Sequence, residues 1–201
     1  MRRALLLLCI LLGTMPLSCA PARHIVLEGS AKRLPTPETR VAVWGLRPAV
    51  TGAVVQWLQQ RQLVALEPAR LQELFDREQI RVSRSFADEH HAVRLAKQLD
   101  VALVIFTESA IGATVVSSPV ATEGTAPFPG TVPAAFSNAS VTVRGVDVAS
   151  GELVLSASAK YPQQLAAAGP ETLAMLVRRA LETAWGLRSP GEETLSPDEA
   201  Y

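Results

Sequence analysis

Residues Val101 to Phe106 read Val-Ala-Leu-Val-Ile-Phe, a continuous apolar run bounded by Asp100 and Thr107. A strand with one wet face alternates apolar and polar residues. This run does not, so both of its faces need cover. Its length is that of a strand rather than a helix, and its β-branched residues suit a pleated backbone. A chain carrying such a run must also supply helices to lie on either side of it. The expected fold class is therefore α/β, a layered sandwich of two or three layers around a mixed β-sheet.

The rest of the chain supplies those parts. Arg40 to Leu46 is a strand candidate, with Val41, Val43 and Gly45 to one side. Ala49 to Gln60 follows as a helix, because Val50, Ala53, Val54, Trp57 and Leu58 recur at helical spacing. Leu63 to Leu66 suits a short buried strand, and Pro68 fits the first turn of a helix carrying Leu71, Leu74 and Phe75. Ser85 with Asp88 three residues on forms a capping box for a third helix through Val93, Leu95 and Ala96. Val141 and Val143 alternate with Thr142 and Arg144, and the phase slips at Gly145, which predicts a β-bulge. Ala149-Ser150-Gly151 is a turn, and Leu153, Leu155, Ala157 and Ala159 complete an antiparallel hairpin. Pro170 opens a closing helix with Leu173, Leu176, Val177, Ala180, Leu181 and Ala184 on one face. The predicted order is β-α-β-α-α-β, then the hairpin and the C-terminal helix.

The N-terminus carries an address. Arg2 and Arg3 precede an unbroken apolar run from Ala4 to Leu12, which reads as a signal peptide over 1–18. The run is shorter than the roughly 20 apolar residues of a spanning helix. It ends in Leu17-Ser18-Cys19-Ala20, which resembles a bacterial lipobox with Cys19 as the acylated first residue of the mature chain. The pattern departs at Pro16, where the lipobox prefers leucine. The alternative is ordinary cleavage after Ala22, since Ala20-Pro21-Ala22 is small-x-small. Cys9 leaves with the signal, so the mature chain has one cysteine and can form no internal disulfide. Ala20 after the cysteine favours, by resemblance to lipoproteins of two-membrane bacteria, the periplasmic face of the outer membrane. Residues 19–39 are expected as a tether, with Ile25 to Leu27 as a short edge strand, and 188–201 as a disordered acidic tail. One domain, 40–187, lies between them.

Composition narrows function. The 201 residues balance 19 basic against 19 acidic side chains, without the basic excess of a nucleic-acid binder, so no nucleic-acid partner is expected. Aromatic residues are only 5%, too few for a stacking platform. His90 and His91 are adjacent on a helix and point about 100° apart, so a solvated face is expected there and no metal site. Neither G-x-S-x-G nor a glycine-rich phosphate loop occurs. No enzyme activity and no cofactor are expected. Trp44, Trp57 and Trp185 are expected in the core rather than around a ligand.

Three phrases carry a family resemblance. Val64-Ala65-Leu66-Glu67 runs into Arg70-Leu71-Gln72-Glu73-Leu74-Phe75-Asp76-Arg77-Glu78-Gln79; Ala96 to Phe106 is a small helix followed by an apolar strand; Val141 to Val148 is followed by Ser150-Gly151-Glu152-Leu153. Over about residues 40 to 187 they resemble the CsgG-like family of bacterial envelope proteins, grouped around the curli secretion lipoprotein and related to LpoB and the N-terminal domain of TolB. The resemblance implies a non-enzymatic assembly or accessory factor for an envelope machine or a secreted fibre, working by contact with another envelope protein or by self-association. It also offers a second reading, an oligomeric secretion-pore subunit. That reading requires two transmembrane hairpins per subunit, each strand about 9–11 residues long. Glu108 to Asn138 has room for one, but Pro119, Pro127, Pro129 and Pro133 interrupt it, and Lys160 to Glu171 is too short for another. The proline-rich stretch 119–133 is therefore expected to be a long loop within Glu108 to Asn138, which reads as a contact flap or else a membrane hairpin, with Val120, Phe128, Val132 and Phe136 as partner-contact residues.

Overall fold

The computed structural model describes residues 24–81, 89–119, 131–165 and 169–195. Cys19, Val120, Phe128 and the Ser85–Asp88 cap lie outside them. The unit His24–Glu193 is described below.

Seven strands form one sheet: β1 His24–Ala31, β2 Arg40–Gly45, β3 Val64–Leu66, β4 Leu103–Pro119, β5 Thr131–Asp147, β6 Leu153–Leu165 and β7 Gly191–Thr194. Among the described residues four α-helices accompany it: α1 Pro48–Gln59, α2 Pro68–Arg77, α3 Glu89–Ala96 and α4 Pro170–Ala184. The spatial order is β3-β2-β4-β5-β6-β1-β7. β2 lies parallel to β3 and β4, and the pairs β4–β5, β5–β6 and β6–β1 are antiparallel. The sheet is mixed, as the sequence predicts.

Strand alternation divides the core into two layers. Ala42, Trp44, Val104, Phe106, Val146 and Val148 meet α2 and α3 through Leu71, Leu74, Phe75, Ala92, Leu95 and Ala96. On this side Trp44 stacks on Phe75, with ring centroids 4.5 Å apart and planes 11° apart. The intervening residues Val41, Val43, Ile105, Val141 and Val143 are buried on the opposite face, where α1 packs on β2 and α4 on β5, β6 and β1. Here Trp57 meets Trp185 edge-on at 4.6 Å, and the Arg61 guanidinium lies 3.6 Å from the Trp57 ring centre. Val104, Ile105 and Phe106 are fully buried, so the opening run does have cover on both sides.

The hairpin turn has a chemical lock. The Asp147 carboxylate accepts from the Ser150 backbone N–H and hydroxyl, both at 2.8 Å, and Gly151 takes φ +73°. These bonds, led by the Ser150 backbone N–H, hold the Asp147 carboxyl below its ordinary pKa. The predicted bulge falls between Gly145 and Val146.

Four expectations change. First, part of the 19–39 stretch is the full strand β1, with Ile25 and Leu27 buried, so the sheet begins well before residue 40. Gly29 makes this fit possible, because a Cβ there would stand 3.0 Å from the Ala184 backbone nitrogen on α4. Second, β3 is an edge rather than a buried strand; Val64 is 45% exposed because β2 pairs with it on one side only. Third, the acidic tail begins with β7, where Glu193 accepts from Arg179 at 2.8 Å and also pairs with Arg188. Arg188 is partly buried, which alone would lower its pKa; hydrogen bonds to Glu182 and Glu193 outweigh that and raise it. Fourth, strand reaches both ends of the expected 119–133 loop: β4 runs to Pro119 and β5 starts at Thr131, and residues 120–130 lie outside the described ones.

Candidate interaction surface

The β4–β5 ladder runs without interruption from Leu103↔Asp147 to Pro119↔Thr131. Only its first part belongs to the body of the sheet. β2 flanks β4 as far as Thr107, and β6 flanks β5 as far as Ser137, opposite Leu165. Thr114–Pro119 and Thr131–Phe136 therefore continue as a two-stranded arm whose outer hydrogen-bonding edges pair with no further strand among the described residues. Such edges are templates for pairing with another strand.

At the root of the arm, Gly112 faces Asn138 in the ladder, and the Gly112 backbone N–H donates to the Asn138 side-chain oxygen at 3.0 Å. A Cβ on Gly112 would stand 2.2 Å from that oxygen, so the glycine admits the side chain into the ladder. Of the expected contact residues, Val132 pairs with Ser118 and Phe136 with Thr114 inside the arm. Prolines did not prevent this. Pro119 closes β4, and Pro133, opposite Ser117, sits on a strand with an open edge, where the missing N–H breaks no ladder with a further strand.

One sequence signal marks the arm more clearly than its prolines do. Ser109 to Val143 contains a single charged residue, Glu123. Edge strands are usually blunted by charge or by shortness. The terminal strands β3 and β7 are short, three and four residues, whereas the arm has neither protection.

Beside the arm's root lies an open polar face. Arg144 pairs with Ser156, Thr142 with Ser158, and Ser140 with Lys160 on the side where α2 and α3 cover only the other half of the sheet. Glu28 and Ser30 of β1 extend these rows, and the Ser158 hydroxyl donates to the Glu28 carboxylate at 3.3 Å. Arg144 lies 3.1 Å from Glu89 at the start of α3. Two of these groups are thus paired, Ser158 with Glu28 and Arg144 with Glu89.

His90 and His91 stand on the exposed side of α3, their rings 5.9 Å apart. Trp44 and Trp57 are buried in the core. Among the described residues no group of three or more His, Cys, Asp or Glu side chains is placed to hold a metal ion. No helix among them is long and apolar enough to cross a membrane.

No family model matches the chain, and no curated protein matches it. Among solved structures it is similar to the PelC dodecamer from Paraburkholderia phytofirmans, at 11% identity over 80% of this chain and 97% of that one, with a TM-score of 0.45. A single-residue variant of that dodecamer gives 14% identity over 78% and 95%, again with a TM-score of 0.45. A PDZ domain protein from Parabacteroides distasonis gives 8% identity over 85% of this chain and 38% of that one, with a TM-score of 0.44.

Proposed function

We propose that this chain is an outer-membrane lipoprotein of the CsgG-like kind, anchored through acyl groups on Cys19, that works without catalysis as an assembly or accessory factor. Its working surface is the β4–β5 arm; Val120 and Phe128 fall in sequence between its two strands, outside the described residues. The observation that supports this reading is the combination of two open strand edges with a nearly uncharged sequence. A strand pair of that composition gains by adding a further strand, because main-chain hydrogen bonds supply affinity whatever the partner's side chains.

The test shortens the arm. Deleting residues 114–136 and joining Ala113 to Ser137 through Asn-Gly keeps the body of the sheet intact. The melting midpoint should stay within a few degrees, while photo-crosslinks formed in the cell from positions 115 and 133 of the parent mark the contact. Absence of any crosslink from either position sinks the reading.

The secretion-pore reading gains one observation, the unbroken ladder out to Pro119↔Thr131. Against it, β6 runs to Leu165 and α4 starts at Pro170, leaving no length for a second hairpin. Detergent-stable rings rich in β-barrel signal would favour the pore; globular monomers after removal of residues 1–19 would count against it.

A further inference from the structure

The register places the two ends of the sheet. Val26 of β1 pairs with Lys160, Lys160 with Ser140, and Ser140 with Ala110, so one row crosses four strands. From that row toward His24 on β1, the antiparallel neighbours lead toward Tyr161 on β6, Asn138 on β5 and Gly112 on β4. The start of β1 and the root of the arm are thus at the same end. The Asp147–Gly151 turn is at the other.

Chain length then sets a distance. Cys19 precedes His24 by five residues, so the backbone at Cys19 reaches at most about 18 Å from the start of β1. From Gly112, level with that start, β4 continues to Pro119, roughly 23 Å further at strand rise. The arm is longer than the leash. With its strands upright on the membrane, a domain held this closely brings the longer, co-directed arm down to the bilayer surface.

From this we infer that the arm lies in the headgroup layer of the leaflet that holds the Cys19 acyl chains, its occupant being the lipid surface itself. The inference rests on the acylated-anchor reading. The composition fits the location, since Ser109 to Val143 carries one charged residue, Glu123. The depth follows from the edges. Unpaired backbone groups have no partner in hydrocarbon, whereas the headgroup layer still supplies water. A lone arm of two strands therefore stops at that layer, and any strand added to it is added in the plane of the membrane.

Single cysteines at Ser117→Cys in the arm and Ser150→Cys in the opposite turn, in the full mature chain, take an environment-sensitive fluorophore, because acylation leaves no other thiol. The protein is placed in phosphatidylethanolamine–phosphatidylglycerol vesicles carrying nitroxide lipids, with the spin label either shallow or at mid-chain. The label at 117 should shift to the blue and lose at least half of its intensity to shallow nitroxides, while the label at 150 stays as in water. Equal, water-like signals at both positions overturn the inference, and so does stronger quenching at mid-chain with release of trapped dye, which would mean a spanning arm. Val115→Cys provides a second position if Ser117→Cys fails to fold. Mass measurement of the N-terminal peptide reads acylation separately. If Cys19 is unmodified, the anchor reading fails alone, and the same quenching is read on a Cys19→Ser chain held to nickel-chelating vesicles by a histidine tag at residue 20.

Discussion

Gly45 has no room for a side chain. A Cβ there would stand 2.0 Å from the Thr107 hydroxyl oxygen and 2.9 Å from both the Thr107 carbonyl oxygen and the Thr51 methyl. Gly45→Ala should therefore destabilise the domain by about 1–3 kcal/mol, read as a lower denaturant midpoint. Gly52, on α1, meets nothing within 4 Å, and Gly52→Ala should stabilise by about 0.5–1 kcal/mol in the same titration. The two glycines look alike in the sequence; what separates them is Thr107, brought to β2 by a strand that starts almost sixty residues later. Gly151 was legible because a turn is local. Asp147 adds a pH dependence of known sign. Its folded pKa lies below the unfolded one, so its contribution is complete above about pH 4 and is lost as pH falls through the lower folded value. Glu78, held below its usual range first by the Arg94 hydrogen bond, acts in the same direction. Asp147→Asn should flatten the acid limb of a stability–pH curve; an unchanged limb would show that the turn contributes nothing there.

Among the elements, the helices were the most legible, because an apolar stripe at 3.6-residue spacing needs no distant partner to be recognised. α2 and α4 bury the residues that periodicity selected, including Leu71, Leu74, Phe75, Leu176 and Leu181. Phe75 is fully buried and stacked on Trp44, so Phe75→Ala should cost about 3–5 kcal/mol by thermal unfolding. Strands outside the central run were harder to read. β1 offers two buried aliphatics, Ile25 and Leu27, before a polar and proline-containing stretch, and pairing with β6 across more than a hundred residues makes it a strand. The arm was misread because its prolines were weighed without the ladder around them. Proline excludes a position flanked on both sides, but the arm is flanked on one. Shortening the arm should leave stability nearly unchanged, since its outer half lies beyond the reach of β2 and β6 and loop length itself costs little.

At the scale of the molecule, the sequence delivered the layered α/β class and the helical cover of Val104, Ile105 and Phe106. It did not reveal where the cover ends. On one face α2 and α3 reach only part of the sheet, and the serines of β6 are left beside Lys160 and Arg144. Alternation of serine with alanine over 155–160 carries that asymmetry, but only the strand order says which residues share it. Cys19→Ser should move the protein from the membrane to the soluble envelope fraction and abolish incorporation of labelled fatty acid; membrane retention without label would remove the anchor from the account. For a chain exported as proposed above, the position of β1 has a further consequence, for the order of events during the crossing. The first strand of the domain to leave a translocon is the one that pairs with β6 and lies beside β7, both near the end of the chain. Ile25 and Leu27 therefore find no sheet partner until residues 153–160 have emerged, and closure across that span is intrinsically slow. On the proposed lipid-anchored reading, the processing enzymes therefore have most of the crossing in which to act, and the cysteine is acylated before the domain closes on β1.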